Sequence, residues 1–277
     1  MNTIDKNNVL DLAAYFKRIN FEGSVEPSIS CLNLLHRLHQ ESIPFENLDV
    51  LLGQSISMEL PDIVDKLINR TRGGYCFEQN TLFSAVLQKI GFRVSPYLAR
   101  VRWMAAADVA TPLSHMVLSV ETEDGPYLAD VGFGGIALVE PIALNSRTSQ
   151  HLDFEPRRIV DRDAQLIHQV EIDGEWRDVY QFFPTPVSAI DLDVGNWYSF
   201  THPQARFRNM LIVARLTQSG RLVLSNSELI EREWGAQLRR TKVSSEAERH
   251  AILRDRFNLS FSAGTRFEIP GESGFSG

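Results

Sequence analysis

The sequence predicts an α+β fold in three stretches: helices over residues 1–90, mostly β structure over 91–205, and a mixed remainder over 206–277. Three observations predict it. Apolar residues up to Gly91 recur at helical spacing. After Gly91 they gather in short runs of Val, Leu and aromatics divided by turn signals. Beyond Phe207 a hairpin pattern is followed by a helix-start signature.

Val9, Leu10, Leu12, Ala13 and Phe16 share one helical face, and Gly23 and Pro27 break the chain after it. Leu32, Leu35 and Leu38 mark a second helix, with Cys31 in the same stripe as a small buried hydrophobe. His36 and His39 on that helix read as solvated. A third helix over residues 62–69 ends at Thr71-Arg72-Gly73-Gly74. A fourth starts near Cys76, presents Leu82, Phe83, Val86, Leu87 and Ile90 on its apolar face, and stops at Gly91. Residues 97–103 and 115–120 read as strands, and Glu123-Asp124-Gly125-Pro126 turns the chain into a hairpin with residues 127–131. Asp173-Gly174 joins two further strands over 166–172 and 176–180. Residues 210–216 and 221–224 pair across Ser219-Gly220, and Ser245-x-x-Glu248 opens a helix to about Phe257. The tail from Gly271 to Gly277 reads as loosely held.

Composition sets the outer limits. With 277 residues, 43% hydrophobic and 23% charged, the chain is of ordinary globular type, which excludes disorder, collagen and coiled coil as its architecture. A net charge of -7 opposes a general nucleic-acid binder, which needs a basic face. No apolar run approaches the roughly 20 residues that span a bilayer, and Met1 to Lys6 lack a signal-peptide pattern. The expectation is a cytoplasmic protein with no nucleic-acid partner, no membrane span and no metal. Nothing sets an oligomeric state. Two cysteines cannot build a disulfide framework, so Cys31 and Cys76 are free thiols.

Cys76 stands apart from Cys31 by position. It follows two glycines and falls in the first turn of a helix, where unpaired N–H groups and the helix dipole favour an anion. A thiol nucleophile wants an imidazole to carry its proton and a third group to orient that imidazole. His151, His168 and His250 make no strong case. His202 is a candidate, and His115 a better one, because its hairpin partner strand ends in Asp130. A turn at Asp124-Gly125 would set Asp130 opposite Ser119, roughly 13 Å along the strand from His115. Direct opposition of the two therefore requires a wider loop or a bulged register. Gly132-x-Gly134-x-x-Ala137 matches a dinucleotide fingerprint superficially, but Leu138-Val139-Glu140-Pro141 does not read as the helix that motif needs.

Cys76 within Arg72-Gly73-Gly74-Tyr75-Cys76-Phe77-Glu78, followed by His115 and Asp130, resembles the arylamine N-acetyltransferases. Ile43-Pro44-Phe45-Glu46-Asn47-Leu48-Asp49, Asp130-Val131-Gly132-Phe133-Gly134-Gly135 and Thr201-His202-Pro203 with Phe207 resemble that family's other signatures, in order along essentially the whole chain. Phe200 and Ala205 stand where the family pattern has serine. The resemblance implies a helical bundle (1–90) carrying the nucleophile and a β-barrel (91–205) carrying His and Asp. Together these are similar to a papain-like cysteine-proteinase core, and an α/β lid (206–277) completes the fold. It implies Cys76 as nucleophile, His115 as proton carrier and Asp130 as orienting carboxylate. Gly132, Gly134 and Gly135 would approach the acyl donor, and Phe45, Val101, Phe133 and Phe207 would line the acceptor pocket. Arg72 and Glu46 would form a buried supporting pair, while Glu78 and Asn80 shape the site. No cofactor is tightly held; acetyl-CoA is the co-substrate. The implied reaction is ping-pong acetyl transfer to arylamines and arylhydrazines, extending to O-acetylation of N-hydroxyarylamines. The alternatives are a cysteine peptidase or transglutaminase-like hydrolase, or a biosynthetic amide synthase, using the same three residues.

Overall fold

The computed structural model describes residues 9–151, 155–262 and 264–271. Met1 to Lys6 and the tail beyond Gly271 therefore lie outside the described residues.

Helix α1 (Leu12–Ile19) is capped by the Asp11 carboxylate and ends at Asn20 in the left-handed region. Ser28 caps α2 (Ile29–Ser42), whose buried face includes Cys31, Leu32 and Leu35. A two-residue strand β1 (Phe45–Glu46) and short α3 (Leu48–Leu51) follow. Helix α4 (Leu60–Val64) runs into a π-helical turn (Asp65–Asn69), and α5 (Cys76–Ile90) ends at Gly91 with φ 116°. A side chain there would be strained, so the stop read from sequence has its usual cause.

The β region holds β2 (Arg93–Val101), β3 (Leu113–Thr122), β4 (Gly125–Ala129), β5 (Ile142–Ala143), β6 (Gln150–His151), β7 (Pro156–Arg162), β8 (Gln165–Ile172) and β9 (Glu175–Phe182). They form one antiparallel sheet in the order β5-β4-β3-β2-β9-β8-β7-β6. β3 is buried on both faces from His115 to Val120, which explains why it reads as a continuous apolar run rather than an alternating one. The stretch read as mostly β also contains helix α6 (Ala189–Thr201). Its apolar residues do not follow a clean helical stripe, because Ile190, Val194 and Trp197 face outward while Gly195, Asn196 and Ser199 pack inward.

After α7 (Arg206–Asn209) come β10 (Ile212–Thr217), β11 (Gly220–Ser225), β12 (Glu228–Glu233), β13 (Arg239–Lys242) and α8 (Glu246–Phe257). Sequence patterning missed β12 and β13, whose charged residues hide the period. The Ser245 hydroxyl accepts from the Glu248 N–H, as the capping signature demands. The second sheet runs β1-β10-β11-β12-β13, so Phe45 and Glu46 of the N-terminal stretch pair with Ala214 and Val213 of the C-terminal one. A hydrophobic core among the helices reaches this junction through Phe45 and Ala214, another under the C-terminal sheet reaches it through Leu48 and Val213, and a further core fills the large sheet.

Candidate active site

Cys76 is the first residue of α5. The chain reaches it through Gly73 and Gly74, and both glycines are required. A Cβ on Gly73 would lie 2.1 Å from the Pro44 carbonyl oxygen, and one on Gly74 would lie 2.8 Å from the Glu78 carboxylate. Glu78 in turn accepts the Tyr75 N–H at 3.0 Å, tying down the helix start. The Cys76 side chain is 2% exposed, and Sγ lies 3.7 Å from the Ser114 carbonyl, one residue before His115.

The hairpin register resolves the geometric difficulty raised by the sequence. The turn falls at Glu123-Asp124, with Thr122 opposite Gly125 and Leu118 opposite Ala129. One step further sets Asp130 beside Val117, diagonal to His115 on the same face. A diagonal pair is within reach of long side chains without any bulge. His115 Nε2 donates to Asp130 Oδ2 at 2.8 Å, with the two residues 3% and 0% exposed. Burial opposes the imidazolium, yet the Asp130 charge, the hydrogen bond to it and the Cys76 thiol beyond it lift His115 from 6.5 to about 10. Burial likewise works against the Asp130 carboxylate, but His115 and hydrogen bonds from Asn80 and Gly132 hold it below its usual range. Asn80 donates to Asp130 Oδ1 at 3.0 Å and to the Met116 carbonyl at 2.8 Å, and accepts the Val131 N–H at 3.1 Å. Gly132 passes so close that a Cβ there would stand 2.6 Å from the Cys76 Cα.

Arg72 and Glu46 do meet, at 2.8 and 3.0 Å through two parallel hydrogen bonds. They belong to a larger buried cluster that the sequence did not signal. Arg72 also reaches Asp49 at 2.7 Å, and Lys66 bridges Asp49 and Glu78 at 2.7 Å each. Three carboxylates thus share two cations. Burial opposes the Lys66 charge, but Glu78, Glu46 and Asp49 together keep it strongly protonated. Lys66 sits in the π-helical turn, which breaks the helical spacing that would have placed it.

The reading of His36 and His39 as solvated is wrong: both are fully buried in α2. Helical spacing puts them on the face that packs beneath the site, and a histidine satisfied on both nitrogens can lie there. His39 Nδ1 accepts from the Tyr15 hydroxyl at 2.9 Å, and its Nε2 donates to Gln79 at 2.6 Å. Gln79 passes the link on to the Pro44 carbonyl at 2.9 Å and that of Gly74 at 3.2 Å. His202, the rival partner for Cys76, stacks on Tyr198 at 4.5 Å and takes no part in the Cys76–His115–Asp130 arrangement.

Cys76 and His115 line a cleft of about 730 Å³ whose walls include Phe45, Val101, Phe133, Phe207, Gly132 and Gly135. Gly134, with φ 87°, packs instead against the Phe45 ring. Phe133 meets His115 edge-on at 5.1 Å, and Phe45 meets Phe207 at 5.7 Å. Trp103, Met104 and Tyr198 complete the apolar side, while Arg206, Arg221, Arg232 and Arg240 lie along the side formed by the C-terminal segment. Ala205, where the family pattern has serine, leaves α7 without a side-chain cap. Among the described residues no cluster could hold a metal ion, and no helix is long and apolar enough to cross a membrane.

A buried thiol at a helix start, an imidazole–carboxylate pair beside it and an apolar cleft above them suit acyl transfer through sulfur. Residues 28–266 match the family profile described as N-acetyltransferase. The chain belongs to the arylamine N-acetyltransferase family. It is 38% identical over 256 residues to the arylamine N-acetyltransferase of Mycobacterium tuberculosis, covering 91% of this chain and 90% of that one. Against the Escherichia coli relative it is 35% identical over 246 residues, covering 88% and 87%. The solved structure of the Mycobacterium tuberculosis enzyme superposes with a TM-score of 0.87 at 37% identity, over 90% of this chain and 94% of that one. The Mycobacterium marinum arylamine N-acetyltransferase in complex with CoA gives 0.87 at 35% identity, over 90% and 93%.

Proposed function

We propose that the chain transfers acetyl from acetyl-CoA to arylamines and arylhydrazines by a ping-pong route through a Cys76 thioester. The observation that carries this reading is the buried His115–Asp130 pair at 2.8 Å beside Cys76, at the wall of the cleft. His115 Nε2 is committed to Asp130, so Nδ1 is the nitrogen left to exchange a proton with Cys76. Transfer of the Cys76 proton to Nδ1 gives the thiolate–imidazolium pair that reacts. The thiolate attacks the acetyl-CoA carbonyl; the C–S bond to CoA breaks, and the leaving thiolate takes the imidazolium proton. Acylation removes the Cys76 charge that helped hold His115 protonated, so the neutral ring becomes a base as the amine arrives. The amine attacks the thioester, His115 accepts its proton, and Cys76 leaves as thiolate.

The aromatic walls Phe45, Phe133 and Phe207 suit a planar aryl acceptor; of the cleft arginines, Arg221 and Arg232 share Glu155 and Arg240 pairs with Glu228, which leaves Arg206 as the cation suited to an anionic acyl donor. The Salmonella typhimurium relative, 34% identical over 249 residues, is named for N-hydroxyarylamine O-acetylation as well. The same thioester would serve a hydroxylamine oxygen here.

Intact-protein mass after acetyl-CoA, with and without an arylamine, tests the proposal. One acetyl on Cys76, discharged by the amine and absent in Cys76→Ala, is expected; Cys31→Ala retains activity. Acetyl label elsewhere, or turnover in Cys76→Ala, would refute it.

A further inference from the structure

No step above uses His36. Its side chain is fully buried in α2, against Phe83 in an edge-on contact at 5.7 Å. Nε2 lies 3.0 Å from the backbone nitrogen of Asp130, and Nδ1 lies 3.1 Å from the Val139 carbonyl. An N–H aimed at Nε2 demands a lone pair there, so the proton of a neutral ring sits on Nδ1 and donates to Val139. Gln40 also approaches Nδ1 at 3.0 Å, but its amide N–H groups are directed to the carbonyls of Leu138 at 2.7 Å and His36 at 3.3 Å. One ring thus spans both ends of segment 130–139. That segment carries the carboxylate paired with His115 at one end and, between its ends, the glycine loop and Phe133. The β3–β4 ladder stops at the Leu118–Ala129 pair, so the Asp130 N–H has no strand partner. A buried N–H left in that condition is destabilising, and His36 supplies the acceptor.

We propose that His36 is a positioning residue for the reaction: a neutral imidazole, locked as the Nδ1–H tautomer, that staples Asp130 to Val139. The staple aims the Asp130 carboxylate and the Phe133 loop at His115. This rests on the roles given above to Cys76, His115 and Asp130. Burial pushes His36 down to about 4, which keeps the ring neutral across the working range.

His36→Phe keeps a ring and removes both hydrogen bonds; His36→Gln restores one donor and one acceptor. In single-turnover acylation of Cys76 by acetyl-CoA, we expect His36→Phe to be about tenfold slower at saturating donor, with half-saturation within about twofold of the parent, and His36→Gln to recover to within about threefold. Equal rates in the two variants, both fast or both slow, overturn the proposal, because packing and not the ring nitrogens would then decide. Nitrogen NMR of the unsubstituted protein gives a readout independent of activity and of whether His36→Phe folds. An unprotonated Nε2 coupled to the Asp130 amide is expected, and a protonated Nε2 overturns the proposal. A Cys76 that takes no acetyl would strike the functional reading and leave the tautomer measurement standing.

Discussion

The loop before Cys76 and the stretch that holds Asp130 differ in the chemistry that dominates each. The first is pinned by full charges: Arg72, Glu46, Asp49, Lys66 and Glu78, all within ion-pair distance of one another in a chain of contacts. At its Asp130 end the second is pinned by neutral groups, the His36 lone pair, the Asn80 amide and the Gly132 N–H, and only beyond the glycines does a cation join them, Arg157 donating to the Ile136 and Ala137 carbonyls at 3.1 and 3.2 Å. Both anchor to α2, the second directly through His36 and the first through His39 and Gln79. Charges act over distance and tolerate small displacements, but they fail badly when one member is removed. Neutral hydrogen bonds depend on direction and tautomer, so they aim a group rather than merely retain it. The nucleophile already rides on a rigid helix start and needs only retention. The carboxylate ends a strand, and it needs aim.

The largest expected effect breaks the aimed side. Asp130→Asn keeps the size of the side chain, removes the charge that holds the imidazolium and can present an N–H where His115 needs an acceptor. Single-turnover acylation should fall by somewhat less than the roughly 10⁴-fold that the equivalent change costs a serine triad, since a thiolate needs less help from its base. Near-normal acylation in a well-folded variant would refute the pairing of roles. Next comes the charged side. Arg72→Ala leaves Glu46 and Asp49 buried with too few partners, and stability should drop by about 3–5 kcal/mol. The exposed Arg254–Asp255 pair is the control: Arg254→Ala should leave the melting temperature unchanged. A wild-type melting temperature for Arg72→Ala would show that the cluster is not what holds the loop.

The smallest effect separates the two kinds of imidazole by pH. His115 is raised from 6.5 to about 10, so the folded state holds the extra proton. Its contribution is full below about 6.5, erodes as pH rises and is gone above about 10. His36 and His39 are lowered from 6.5 to about 4 and about 3 by burial, so below about 6.5 the unfolded chain takes protons that the folded one refuses. Their cost grows as pH falls. Melting temperature should therefore decline on both sides of neutrality, with His36→Gln flattening only the acid limb and His115→Gln only the alkaline one. An acid limb unchanged in His36→Gln would show that this ring is not a buried neutral one.

Several parts of this arrangement were legible in the chain itself. Helical spacing marked α1, α2 and α5, Gly91 marked the end of α5, and the Gly73-Gly74-Tyr75-Cys76 order placed a thiol at a helix start. Local rules suffice for these, because each depends on residues within a turn of one another. The hairpin carrying His115 and Asp130 was also visible, but its register was not. Glu123-Asp124 and Asp124-Gly125 are both acceptable turns, and the packing of β3 against α5 on one side and the sheet core on the other decides between them. Helix α6 was hidden because Ile190, Val194 and Trp197 face outward while Gly195, Asn196 and Ser199 pack inward beside Leu192, which blurs the usual apolar stripe.

The sequence by itself determined which residues could do chemistry: a thiol, an imidazole, a carboxylate and glycines that allow close approach. Tertiary structure alone decided which of seven histidines serve, and how. His36 and His39 look like surface residues because an imidazole in a helix carries no mark of the groups it will meet. Their neutrality is set by burial and their tautomers by Val139, Asp130, Tyr15 and Gln79, which come from distant parts of the chain. Lys66, likewise, is an ordinary lysine until Asp49 and Glu78 close around it. The reason is physical: side-chain type is local, whereas burial, charge pairing and tautomer belong to the contacts that folding assembles.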